Sequence, residues 1–97
     1  MRATSRVQVE NAWVKVTEWC FAPGAETGHH LHGHDYVVVP LTSGVLRLDE
    51  RAGPREAQLT SGVAYARERG VEHNVVNAND FEFRFLEIEL LQPGPTR

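Results

Sequence analysis

The chain has 97 residues, 41% of them apolar, and a formal charge of −3 with acids and bases interspersed. That length predicts one domain, residues 1–97, with a real core. No basic stripe invites nucleic acid, and no apolar run approaches the ~20 residues that span a bilayer.

The first six residues are polar and lack the apolar centre of a signal peptide. A lone Cys20 cannot make an internal disulfide, which fits a cytoplasmic protein. Residues 7–21 alternate well enough for one or two strands. Val14, Val16 and Cys20 fall on one face; Trp13, Thr17, Trp19 and Phe21 fall on the other. Large apolar groups on both faces predict cover on both sides, from the core and from a partner subunit. Pro23-Gly24 reads as a turn.

Next comes Gly24-Ala-Glu-Thr-Gly-His-His-Leu-His-Gly-His34, with four of the five histidines inside six residues. In extended chain, His30, His32 and His34 share one face, while His29 and Leu31 take the other. Two imidazoles at i and i+2 on a strand can reach one ion. A helical pairing of His30 with His34 is rejected, because Gly28 and Gly33 interrupt any helix.

Asp35 to Leu41 is a β-branched run and reads as a strand. Thr42-Ser43-Gly44 turns the chain into a strand from Val45 to Asp49. Arg51 to Pro54 is a turn, and Arg55 to Thr60 a short edge strand. Ser61-Gly62 turns into Val63 to Arg67, Glu68-Arg69-Gly70 breaks the pattern, and Val71 to Asn77 resumes it with the fifth histidine, His73. Asn77 to Asp80 turns into a long final strand, Phe81 to Leu91. Its phase shifts at Phe85-Leu86, which calls for a bulge or a change in the covered face. Residues 92–97 cannot continue a strand and are expected to be loose. Eight or nine short strands without helical periodicity make an all-β sandwich or barrel, its core spanning about residues 7–91.

Other polar residues carry milder expectations. Asn77 shares a face with His73 and Val75, and an inward amide there is structural more often than catalytic. Tyr36 reads as a core tyrosine with a satisfied hydroxyl. Arg47, Arg67 and Arg84 sit within strands; an inward arginine would want an anion such as a carboxylate, but the solvated face is preferred for each. Cys20 reads as core packing. Gly24, Gly44, Gly62 and Gly70 read as turn residues with positive φ.

Two spacings tie the histidines to a pattern. Gly24 is followed after five residues by His30-Leu31-His32, with Gly44 closing the stretch. Gly62 is followed after five residues by Glu68-Arg69-Gly70, after two more by His73, and after three more by Asn77. These spacings resemble the two motifs of the cupin superfamily, and with the flanking strands the resemblance covers nearly the whole chain. It implies a double-stranded β-helix, a jelly-roll barrel with a metal inside. It carries His30, His32 and His73 over as ligands of a divalent ion: Fe, Mn, Ni or Zn. The pattern also carries a glutamate, whose place falls on Tyr36 or Val37 depending on the spacing used, and Glu68 stands where it has proline. Residues 35–41 with 71–77 are similar to a subgroup of stand-alone bacterial proteins, some labelled for β-alanine degradation. Small cupins commonly pair, which implies a homodimer.

Two functions follow as expectations. One is a metal-dependent enzyme, oxygenase-like, acting on a small polar molecule. Its three-histidine site is similar to that of the thiol dioxygenases, and Tyr36 and His34 are the candidate catalytic groups near the ligands. The other is a non-catalytic barrel that binds a small ligand, with the metal as an anchor. A purely structural barrel is the third reading.

Overall fold

The computed structural model describes residues 1–91, which form nine strands and no helix. The strands are β1 (Thr4–Glu10), β2 (Val14–Phe21), β3 (His30–Leu31), β4 (Asp35–Pro40) and β5 (Gly44–Glu50), then β6 (Gly53–Leu59), β7 (Tyr65–Arg67), β8 (Glu72–Asn77) and β9 (Phe83–Leu90). The tail expected to be loose lies outside the described residues. Pairing begins at Thr4, three residues earlier than the expected core.

Two antiparallel sheets face each other, in the orders β1-β2-β9-β4-β7 and β3-β8-β5-β6. Each pleat sends alternate side chains inward. Phe21, Phe83, Phe85, Val38 and Tyr36 from one sheet meet Leu46, Leu48, Leu59 and Val75 from the other. Phe21 and Phe85 pack with ring centroids 5.4 Å apart. Burying each large side chain contributes about 1.5–3 kcal/mol. Pro40 is tolerated in β4 because the pairing with β7 ends at Val38, so no ladder bond is lost there.

The final strand has no bulge. Its register with β2 runs unbroken from Phe83 opposite Phe21 to Leu90 opposite Val14. The apparent phase shift is a change of cover: Phe83, Phe85 and Glu87 stay on the inner face, and Leu86, Ile88 and Leu90 form an apolar outer one. The register shift lies in β1 instead, between Val7 and Val9.

At one end, Asn77 is 1% exposed. Its Nδ2 donates to the carbonyls of Phe21, Ala22 and Phe81, and its Oδ1 accepts from the backbone and side chain of Asn79. One amide thus ties the β2 end, the β8–β9 turn and the core together, the structural role expected of it. Gly44 is not a positive-φ turn residue. A Cβ there would lie 2.7 Å from Asn79 Oδ1, so the glycine permits close approach. Gly70 does take positive φ, at 96°. Among the described residues no helix is long and apolar enough to cross a membrane.

Candidate metal centre

Strand β3 is two residues long, and both pair with β8: His30 opposite His73 and Leu31 opposite Glu72. Pleating sends His30 and His73 inward and leaves Leu31 66% exposed. His32 follows the strand. Its amide donates to the Val71 carbonyl at 2.8 Å and its carbonyl accepts from the Gly70 amide at 2.8 Å. The turn before β8 therefore fixes where His32 points. Gly28, at a φ of 86°, shapes the approach, and its amide donates to Asn74 Oδ1.

The three rings form a near-equilateral cluster, with centroids 4.7, 4.8 and 5.1 Å apart. Nε2 of His32 lies 3.0 Å from Nε2 of His30 and 3.1 Å from Nε2 of His73. Two nitrogens each ~2.1 Å from one ion are about 3.0 Å apart at a right angle and about 3.4 Å apart at the tetrahedral angle. The two separations from His32 match the first, and the three candidate ligand atoms lie within 4.8 Å of one another. Both cannot be full hydrogen bonds at once, because the Nε2 of His32 in a neutral ring carries either a single proton or a single lone pair. A cation at the centre uses all three lone pairs, so the donor set fits a divalent ion.

Electrostatics point the same way. The Nδ1 of His30 lies 2.8 Å from the Gly28 carbonyl, which assigns the proton to Nδ1 and leaves Nε2 free to ligate. Burial, then the neighbouring His30 and His73, push the His32 pKa down to about 3. Burial, His30 and Arg67 push that of His73 down to about 4. Both rings are neutral at physiological pH, the form a ligand needs. His73 Nδ1 is buried with no hydrogen-bond partner.

The remaining candidates divide. His29 faces out and pairs with Glu72 at 2.7 Å. His34 is not in the three-histidine group. Tyr36 is 2% exposed and stacks on His32 with centroids 4.0 Å apart and planes 17° from parallel. It is a core tyrosine as expected, but its hydroxyl is not satisfied: no partner reaches it among the described residues. Cys20 is not core packing. It lies on the outer face, half-buried, its Sγ 3.2 Å from Glu82 Oε1.

A cavity of about 20 Å³ adjoins the cluster, bounded by His30, His73, Tyr36, Tyr65, Arg67 and Glu87 among others. Two of these depart from the sequence reading. Arg67 was expected on the solvated face with Arg47 and Arg84; instead its side chain is 26% exposed and turned to the interior, with Nη2 3.2 Å from Glu50 Oε2. Glu87 attracted no attention in sequence, although it continues the i, i+2 series of Phe83 and Phe85. Burial, then Glu89, push its carboxyl up to about 7, opposed by the Trp19 indole hydrogen bond and Lys15.

The sequence model of the cupin-domain family matches residues 17–89. The chain belongs to the cupin family. It is 61% identical over 89 residues to the β-alanine degradation protein BauB of Pseudomonas aeruginosa, covering 92% of this chain and 94% of that one. It is 56% identical to a cupin-domain protein from Bordetella pertussis Tohama I, whose crystal structure matches with a TM-score of 0.91 over 92% of this chain and 93% of that one. The polyketide cyclase RemF of Streptomyces resistomycificus shares the fold at 22% identity, with a TM-score of 0.75 over 97% of this chain and 68% of its own. Within this cupin, the histidines of both motifs meet in space. Tyr36, one of the two positions where the motif spacing placed a glutamate, stacks on a ring of that cluster instead of offering a carboxylate.

Proposed function

We propose that this cupin holds a divalent transition-metal ion through Nε2 of His30, His32 and His73 and acts on a small polar molecule at the open side of that ion. The mutual approach of the three nitrogens carries this reading. When bound, such an ion supplies a Lewis-acid centre with vacant positions, and iron or manganese supplies redox chemistry as well. The protein's part is to hold the rings neutral and oriented, to exclude water with the Tyr36 and Trp19 side chains, and to offer Glu87 as a carboxyl able to take or give a proton. His34 and Tyr36, the catalytic candidates from sequence, rank behind Glu87: His34 stands outside the histidine group, and the burial of Tyr36 pushes its hydroxyl well above the usual tyrosine range. The name of the Pseudomonas relative makes β-alanine and its close derivatives the first compounds to test. Elemental analysis of protein purified without a histidine tag tests the metal. Oxygen uptake and product formation with those compounds test the activity, and a metal-loaded protein inert to all of them sinks the enzymatic half.

One observation favours the second reading, a non-catalytic ligand-binding barrel. The cavity beside the histidines, about 20 Å³, has room for about one water. A substrate must displace side chains or approach from a neighbouring cleft.

The homodimer belongs to the same proposal. Val9, Val16, Ile88 and Val37 are successive cross-strand neighbours on the outer face of the five-stranded sheet. Leu86, Val39, Val14 and Leu90 flank them. An apolar sheet face of this extent suits an isologous contact with a second copy.

A further inference from the structure

The barrel is closed unequally along its two flanks. On one flank, the edges at β1 and β3 are stitched by the segment around Glu26. The Ala3 amide donates to the Glu26 carbonyl, the Glu26 amide to the Met1 carbonyl, and the Thr27 amide to the Val75 carbonyl. On the other flank, β6 and β7 are the free edges of their sheets, and no ladder joins them among the described residues.

A cleft of about 270 Å³ opens there, bounded by Arg55, Gln58, Leu59, Tyr65, Arg67 and Leu48. Tyr65, Arg67 and Leu48 also bound the small cavity beside the histidines. These three side chains therefore stand between the cleft and the cavity beside the histidines.

The charge in this cleft is arranged around one carboxylate. Glu50 accepts from Arg55 Nε at 2.7 Å and from Arg67 Nη2 at 3.2 Å. Hydrogen bonding from Arg55 is the largest influence holding Glu50 below the usual carboxylate range. Two guanidiniums against one carboxylate leave a net positive charge, and each guanidinium keeps N–H donors that Glu50 does not use. The walls between them, Leu48, Leu59 and the Tyr65 ring, are apolar. At the inner end stands a second, independent sign of a ligand: Tyr36, 2% exposed, lines the inner cavity, and its buried hydroxyl has no partner among the described residues. Leaving such a group unpaired is costly, and a ligand oxygen or nitrogen there would satisfy it.

We propose that the β6–β7 cleft binds a small carboxylate, its anion on Arg55 and Arg67 and its body running past Tyr65, so that its far end reaches the Tyr36 hydroxyl and the histidine face. The destination of the far end rests on the metal reading above; the carboxylate site does not. It names the substrate class, a short-chain carboxylic acid, and a lateral route of access.

Propionate labelled with carbon-13 tests both parts. With cobalt(II)-loaded protein, the methyl carbon should relax faster than the carboxylate carbon, because the methyl end lies nearer the paramagnetic ion. With zinc-loaded protein, Arg55→Gln and Arg67→Gln should each weaken propionate binding about tenfold or more, and Arg67→Lys should weaken it less. Arg47→Gln, on the outer face, should change nothing, and circular dichroism confirms the fold of each variant. Faster relaxation of the carboxylate carbon places the anion on the ion and overturns the proposal, as does propionate binding indifferent to both arginines or absent altogether. If cobalt is not retained but propionate still binds metal-free protein in an arginine-dependent way, the carboxylate site stands and the metal reading falls.

Discussion

His30 lies directly opposite His73 on the β3–β8 ladder, and that rung is one of only two by which β3 is held. The metal centre thus depends on a strand register. A slip of one residue would turn His30 outward and bring an exposed neighbour in, because side chains alternate with a period of two. His32, on the irregular chain beyond β3, is held by the Val71 and Gly70 backbone instead. The ligand set is built from one ladder and one turn.

Removing a ligand should abolish tight metal binding without unfolding the barrel. His30→Ala and His73→Ala are each expected to lower zinc affinity by about a hundredfold or more, measured by competition with a chromophoric chelator. His29→Ala, which faces out and pairs with Glu72, should leave it unchanged. Full affinity in His73→Ala would remove the centre from where the geometry puts it.

Tyr36 separates packing from hydrogen bonding. Its ring stacks on His32, while its hydroxyl has no partner. Tyr36→Phe should therefore cost no more than about 1 kcal/mol and could raise stability, whereas Tyr36→Ala should cost about 3–5 kcal/mol. Urea titrations of both variants decide this. A loss above about 2 kcal/mol in Tyr36→Phe would reveal a bond to the hydroxyl.

Asn77 should be the polar residue most costly to replace. Asn77→Leu removes one donor from three carbonyls and the acceptor of the Asn79 backbone and side-chain amides, so a loss of about 3 kcal/mol or more is expected. Metal content per folded molecule should not change. A chain that melts like the parent would mean that water replaces the amide at no cost.

Acidification should act on metal-free protein through two opposed groups. His32 and His73 have folded pKa values near 3 and 4 against an ordinary 6.5. Above 6.5 the rings are neutral in both states. Below it the unfolded chain binds protons that the folded one refuses, so stability falls as pH falls, by about 2 kcal/mol per ring at about pH 5. Glu87 works in reverse. Its folded value is raised to about 7 from 4.5, so the folded state binds the extra proton, and its contribution is present at low pH and lost as pH rises towards 7. Glu87→Gln should therefore show a steeper acid loss than the parent between pH 7 and 4.5. Parallel melting curves across that range would show that Glu87 titrates normally.

A charge in the outer apolar row should break the proposed dimer. Ile88→Asp is expected to sediment as a monomer with its strand content intact, since Ile88 points away from the core. A parent that sediments as a monomer would rule out this face as an interface.

How far the sequence reached can be judged strand by strand. The β-branched run from Asp35 to Pro40 and the glycine-punctuated stretch from Gly62 to Asn77 announced their strands, because local preference and the inner face agree there. His30 and His73 were legible because each sits on the inner face of its strand, whereas alternation alone would have put His34 beside His32; the motif spacing, not the alternation, singled out the three that meet. The outer half of β9 was not legible, since there the apolar residues face outward and a carboxyl faces the interior. The usual link between apolar and inward fails beside a polar site. Arg67 escaped for a related reason. In sequence, an inward arginine is told from a solvated one only by its counter-charge, and Glu50 lies seventeen residues away on another sheet.

The ligands at positions 32 and 73 are separated by 41 residues of chain. Bringing them together closes a loop that contains β4 to β7, and such a non-local contact forms slowly. An ion held by both would therefore gain its full ligand set late in folding. Its influence should appear in the rate at which the finished molecule comes apart, slowed by metal, while the rate of refolding stays as it is without it.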